Sequence, residues 1–231
     1  MKVIGITGGV GAGKSTLMSV LSDMEGCLCM QADEVAKSQM KKGEIAYEKI
    51  VFLFGEDILA DTGEIDRKKL GDIVFKEDNK RLVLNSIVHP SVKNFFLDDI
   101  EKKREEGVVQ YYFIEAALLL EDHYEKFCDE VWYVYAKESL RRERLKLTRG
   151  YTDEKIDGIF NSQMSDEYIR RKYIPDEDLR PFSDAKLFTN PFVTRYDTIP
   201  PWIVFDNSEG LFLTLDFTEI LDRLLRLIDD H

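Results

Sequence analysis

Nine consecutive residues near the start of the chain, Gly8-Gly9-Val10-Gly11-Ala12-Gly13-Lys14-Ser15-Thr16, have the types and spacing needed to hold a phosphate chain. Glycines let backbone N–H groups turn inward around phosphate oxygens without Cβ clashes. A helix starting at Lys14 aims its positive end at the same point. The pattern Gly-x-x-x-x-Gly-Lys-Ser brings a lysine amine to the β- and γ-phosphates and a serine hydroxyl to Mg²⁺. Each charge-assisted hydrogen bond contributes roughly 1.5–3 kcal/mol, so several together hold a triphosphate. Gly9, Gly11, Ala12, Gly13, Lys14, Ser15 and Thr16 are therefore expected to bind ATP, with Ser15 as the Mg²⁺ ligand. The loop alone does not separate a kinase from a GTPase or an ATPase, and no separate guanine-reading signature accompanies it.

A kinase also needs a carboxylate at the acceptor hydroxyl, to orient it and take its proton. Asp33 follows the second predicted strand, at the end of a parallel sheet where ligands sit. An ordinary aspartate, with a pKa of about 3.9, is a weak base, so orienting the hydroxyl can matter more than taking the proton. The residues alone leave a second reading open: Asp33 caps the helix that follows. Glu115, at the end of the third predicted strand, likewise reads either as a carboxylate that assists Mg²⁺ through water or as one that starts a helix.

These residues need a frame. Lys2 to Thr7 is short, β-branched and apolar, the pattern of a buried strand, and a helix is predicted from about Lys14 to Met24. Strands are also predicted at Cys27–Met30, Val108–Ile114, Glu130–Ala136 and Trp202–Phe205. From Asp33 to about Lys103 the pattern is helical, with a turn at Asp61-Thr62-Gly63, an N-cap at Asp66 and a break or first-turn position at Pro90. Thr152 and Ser165 read as caps of two further helices, and Leu211 to Ile228 as an amphipathic helix. Strands separated by helices predict an α/β fold, a five-stranded parallel sheet with helices on its faces.

Composition narrows the partners. The chain has 231 residues, 44% hydrophobic and 33% charged, ample for a sizeable core and suited to one core domain with an appended lobe or to two small domains. A net charge of -12 argues against nucleic acid or a membrane surface as partner. No run approaches the roughly 20 apolar residues that span a bilayer, and the N-terminus lacks a signal peptide's apolar stretch, which predicts a cytoplasmic protein. Cys27, Cys29 and Cys128 lack metal or redox spacing and read as reduced structural thiols. Within this acidic chain two basic clusters stand out, Arg141, Arg142, Arg144, Lys146 and Arg149, then Arg170, Arg171 and Lys172. Each is either a solvated helix face or a place where arginine meets phosphate. Five of the six prolines lie between Tyr173 and Trp202, which reads as a long loop.

Taken together, the motifs resemble the dephospho-CoA kinase family. The opening Gly-Ile-Thr-Gly-Gly-Val-Gly-Ala-Gly-Lys-Ser-Thr is similar to that family's phosphate loop, and Ala32-Asp33 to the end of its Asp-Ala-Asp acceptor motif. Phe54 to Leu59, Thr62 to Leu70 with Val74-Phe75, and His89-Pro90 resemble its acceptor lobe. Arg144-Leu145, Arg149 to Thr152, Gln163-Met164-Ser165 and Asp206-Asn207-Ser208 resemble its lid and C-terminal motifs. The resemblance implies one P-loop kinase domain over residues 1–231, with an acceptor lobe at about 33–103, a lid at about 141–172 and an extra Pro-rich segment at about 173–201. It implies transfer of the ATP γ-phosphoryl to the 3′-hydroxyl of dephospho-CoA with Mg²⁺, by a monomer or small homo-oligomer. Asp33, Lys14 and Arg149 would be catalytic, and Arg144 and Asn207 would bind ATP. Asp33, Lys37, His89 and Leu118 would bind the acceptor, although the residues themselves favour reading His89 as a buried hydrogen-bonding residue beside Pro90. Gln31 and Ala117 depart from the family pattern, where an Asp and a Pro are usual. Two rivals stay open at this level: a kinase for another nucleotide-like acceptor, and a nucleotide-binding scaffold without turnover.

Overall fold

The computed structural model describes residues 1–173, 193–196 and 202–206, and these fall into two compact units. The first takes in Met1–Cys29 and the described part of the chain after Gly107; the second is Met30–Glu106.

The first unit is built on a sheet. Its strands are β1 (Lys2–Thr7), β2 (Cys27–Gln31), β3 (Tyr111–Glu115), β4 (Glu130–Tyr135), β5 (Val193–Tyr196) and β6 (Trp202–Asp206), with β2 carrying the chain into the second unit. The order across the sheet is β2-β3-β1-β4-β6-β5. β1 pairs in parallel with β3 on one side and β4 on the other, and β4 pairs in parallel with β6. The five predicted strands are all present, β3 starting at Tyr111 instead of Val108. A sixth is added: β5 runs antiparallel to β6, with Val193 opposite Phe205 and Tyr196 opposite Trp202. It corrects the reading of the Pro-rich stretch as loop throughout. Four residues free of proline pair with the sheet's edge there, where only one side needs donors. The predicted helix at Leu211–Ile228 lies outside the described residues, as does Asn207.

The sheet is interior because its strands carry apolar side chains on both faces. Ile4, Ile6, Phe113, Trp132, Val134 and Phe205 are buried in one cluster with Leu17 and Leu21 of helix α1 (Lys14–Ser22). Phe113 and Phe205 lie 5.4 and 5.1 Å from Trp132, ring centre to ring centre. After β4 the chain forms α6 (Glu138–Arg149), α7 (Asp153–Ser162) and α8 (Asp166–Tyr173). Thr152 and Ser165 cap α7 and α8 as predicted: Lys155 N–H donates to Thr152 Oγ1 and Tyr168 N–H to Ser165 Oγ.

The second unit is helical: α2 (Ala32–Gln39), α3 (Ile45–Phe54), α4 (Arg67–Lys76) and the long α5 (Asp78–Glu106). Val88, Val92, Phe96 and Ile100 recur every four residues on α5 and are all buried, so one stripe serves as a spine on which α2, α3 and α4 pack. Asp66 caps α4, accepting from the N–H groups of Lys68 and Lys69 at 2.9 and 3.2 Å. A small hairpin crosses the predicted Asp61-Thr62-Gly63 turn, with Leu59 bridged to Ile65. Pro90 corrects the expected break, because α5 runs through it unbroken. Pro90 supplies no N–H to the carbonyl one turn back, at Ser86, but both residues are exposed, so water can take that bond while the buried stripe holds the helix.

Candidate active site

The phosphate loop joins β1 to α1 at the carboxyl end of the sheet. From β1 the chain goes to β2 and β3 on one side and only then crosses to β4 and β6 on the other, so β1 borders the point where the strand order reverses, which is where parallel α/β sheets bind ligands. Gly8 has φ +142, and a Cβ there would lie 2.1 Å from the Val134 carbonyl oxygen of β4. Glycine is therefore required for two reasons, the dihedral and the backbone packed against it. Gly13, at φ 111, turns the chain into α1, and Thr16 and Leu17 N–H groups bond back to its carbonyl at 3.1 Å.

Lys14 is buried at 7% exposure, and its amine donates to the Gly8 carbonyl at 2.8 Å and the Gly9 carbonyl at 3.5 Å. Its Nζ also lies 3.8 Å from Glu115 Oε1 at the end of β3. The helix-start reading of Glu115 falls. No helix follows it directly, and its carboxylate sits at the loop lysine. Ser15, next to Lys14, is exposed, its hydroxyl clear of the core.

Helix α6 supplies the arginines. Residues three apart share a helix face, and Arg141 and Arg144 both meet the loop. Arg144 Nη1 donates to the Gly11 and Ala12 carbonyls at 3.4 Å, and burial lowers the pKa of its guanidinium. Arg141 is 8% exposed, lies 4.7 Å from the Phe160 ring centre and pairs with Asp166 at 3.3 Å. Its Nη1 occupies the space beside Gly9, 1.6 Å from where a Cβ would stand. Arg149 does not join them. It lies exposed on the last turn of α6, five residues past Arg144 and so turned about 140° from it. Arg142, Lys146 and Arg171 are in acid–base pairs: Arg142 with Asp157, Asp153 and Glu138, Lys146 with Asp153, and Arg171 with Glu167.

The junction of α7 and α8 closes on the same loop. Gln163 Oε1 accepts from the Val10 N–H at 3.1 Å, and its Nε2 donates to the Ala117 carbonyl at 3.4 Å. Asp166 accepts from the Tyr133 hydroxyl; burial first, then this carboxylate, raises the phenol's pKa well above its ordinary value.

The helical unit holds Asp33, Lys37 and His89. Asp33 is exposed in the first turn of α2, where Gln31 is the capping residue. The capping alternative for Asp33 therefore falls, and its carboxylate is not committed to the helix end. Lys37 pairs with Glu34 one turn back, and His89 is half-buried on α5. Leu118 belongs to the sheet unit, in the turn after β3, at 37% exposure. Arg141 and Gln163 escaped selection as site residues on sequence grounds. One looks like any member of a basic cluster, and the other shows its role only through partners 153 and 46 positions away.

A family model described as dephospho-CoA kinase matches residues 2–174. The chain is 39% identical over 173 residues to a dephospho-CoA kinase of Bacillus licheniformis, covering 73% of this chain and 84% of that protein. A dephospho-CoA kinase of Carboxydothermus hydrogenoformans is 36% identical over 167 residues, 71% and 79% of the two chains. Among solved structures, TT1252 from Thermus thermophilus has a TM-score of 0.68 at 24% identity, covering 97% of this chain and 96% of its own. Dephospho-CoA kinase from Campylobacter jejuni has a TM-score of 0.59 at 22% identity over 98% of each chain, and both structures share this fold.

Proposed function

The chain belongs to the dephospho-CoA kinase family, and from that premise we propose how its residues move the ATP γ-phosphoryl onto the 3′-hydroxyl of dephospho-CoA, giving CoA and ADP. The observation that carries the reading is the buried Lys14 beside Glu115 under a glycine loop whose arginine neighbours come from α6.

The loop N–H groups and the positive end of α1 receive the phosphates. Lys14 exchanges the neutral carbonyls of Gly8 and Gly9 for charged phosphate oxygens, bonds about twice as strong. The Ser15 hydroxyl and the Glu115 carboxylate suit Mg²⁺, which takes few protein ligands and keeps water and phosphate oxygens as the rest. When bound, Mg²⁺ would supply charge neutralisation on the β- and γ-phosphates. Arg144 adds positive charge at the loop, and Arg149 reaches phosphate through movement of the lid, about residues 141–172. Asn207 serves the nucleotide.

In the helical unit, as the acceptor lobe, Asp33 orients the acceptor hydroxyl and takes its proton as the new P–O bond forms. Its exposed, uncapped position in α2 suits that task. Lys37, His89 and Leu118 bind the acceptor. The site of action is the cytoplasm; among described residues no helix is long and apolar enough to cross a membrane, and all three cysteines are free thiols.

The test is a coupled ATP assay with Mg²⁺ across a panel of acceptors. Dephospho-CoA should be phosphorylated at the 3′-position and nucleoside monophosphates should not. Turnover of a nucleoside monophosphate in preference to dephospho-CoA would refute the assignment.

A further inference from the structure

The tip of the phosphate loop is held by a side chain from far along the sequence. Val10 stands between two glycines, Gly9 and Gly11, the most conformationally permissive of residues, and its N–H is taken by a side chain 153 residues away. That side chain, Gln163, uses both ends of its amide. Its oxygen accepts from Val10 and its nitrogen donates to the Ala117 carbonyl, in the turn that follows Glu115. One partner is an N–H and the other a C=O, so the amide's orientation is determined. A single group thus ties the segment leading to Lys14 to the segment leading from Glu115.

Gln163 is itself fixed. The next residue's N–H, at Met164, donates to Glu121 at 3.1 Å, Ser165 caps α8, and Asp166 holds Tyr133 and Arg141. The side chain borders a cavity of about 500 Å³ whose lining includes Arg141, Phe160, Ser165 and Asp166. Removing the amide therefore takes away two hydrogen bonds without opening a void in packed core.

We propose that Gln163 is a positioning residue of phosphoryl transfer, whose amide holds the phosphate-loop tip in register with the Lys14–Glu115 pair. It acts through the loop backbone and needs no contact with substrate. The proposal rests on the kinase reading above, and it concerns how that site is kept in order. Misplacement of reacting groups by about 1 Å can cost about 10²-fold in rate, so a loosened tip should be felt in turnover before it is felt in binding.

The test compares Gln163→Ala and Gln163→Met with the unaltered full chain. Met keeps the length and loses both bonds. In both variants kcat should fall by about tenfold or more, with KM for dephospho-CoA and affinity for ADP within about threefold of wild type. Hydrogen exchange of the Val10 amide should speed up in the ADP-free protein while the thermal midpoint stays within about 2 °C. Accelerated exchange with kcat unchanged would overturn the proposal, and so would a kcat loss that merely follows a lowered midpoint. A wild-type chain inactive on dephospho-CoA would sink the kinase reading instead. The ratio of ATP to ADP affinity, lowered in both variants or not, would then decide the role of Gln163.

Discussion

Two lysines show how differently the two units hold charged side chains. Lys14, in the sheet unit, is buried, bonded to two backbone carbonyls and set beside a carboxylate from another strand. Lys37, in the helical unit, is paired with Glu34 on its own helix, one turn away. The same contrast runs through their neighbours. Arg141, Arg144 and Gln163 reach the loop from α6 and the α7–α8 junction, whereas Asp33 stands exposed with its helix end left to others. The loop of the sheet unit is pre-organised by contacts distant in sequence, whereas Lys37 of the helical unit has its partner one turn away. Pre-organised charge is the larger lever in phosphoryl transfer, because it costs no rearrangement at the moment of reaction.

The widest gap between the regions should appear at Lys14. Lys14→Ala is expected to lower kcat by at least about 10²-fold in the ATP and dephospho-CoA assay. Lys37→Ala should raise KM for the acceptor and leave kcat and ATP affinity near wild type. Equal effects at the two lysines would erase the contrast. Asp33→Asn keeps the shape of the acceptor carboxylate and removes its basicity. It should cost about 10²-fold in turnover while ATP affinity, read by calorimetry, moves less than about threefold. Near-wild-type turnover would end the acceptor role of Asp33.

Glycines sharpen the comparison in stability. Gly8→Ala meets backbone at 2.1 Å with φ +142 and should cost about 2–4 kcal/mol in denaturant unfolding. Gly71→Ala, inside α4 with nothing within 4 Å of the new methyl, should instead stabilise by about 0.5–1 kcal/mol.

The smallest effect belongs to β2, the strand through which the chain passes between units. Burial pushes the Cys27 thiol up to about 11 from 9.0, and burial with Cys27 nearby pushes Cys29 up to about 12. A raised folded-state pKa means the folded protein keeps these protons longer than the unfolded chain. Their contribution is whole below pH 9 and is lost as pH rises toward 11 and 12. Thermal midpoints should thus drift down above pH 9, and neutral-pH alkylation of the native protein should be slow. Rapid labelling of Cys27 at pH 7 would contradict the burial.

The residues whose physics is local were legible from the start. The phosphate loop, the caps at Asp66, Thr152 and Ser165, the turn at Gly63 and the buried strands each depend on neighbours within about four positions. The motif series that points to the family is of the same kind. Pro90 was misread because a helix break is also a local rule, and the apolar stripe Val88, Val92, Phe96 and Ile100 overrides it through packing. Arg149 was chosen on its likeness to the family's lid motif, and such a motif does not tell which face of α6 meets the loop, where Arg141 lies.

Sequence alone determined that a triphosphate cradle exists, that a parallel sheet carries it, and which family's reaction it serves. Tertiary structure decided which groups keep the cradle in order: the Val134 carbonyl that excludes any side chain at position 8, Glu115 beside Lys14, Arg141 over Gly9, and Gln163 on Val10. The physical reason is distance along the chain. A hydrogen bond between neighbours is written in their types and spacing, whereas one spanning 153 residues exists only after the strand order has placed both ends.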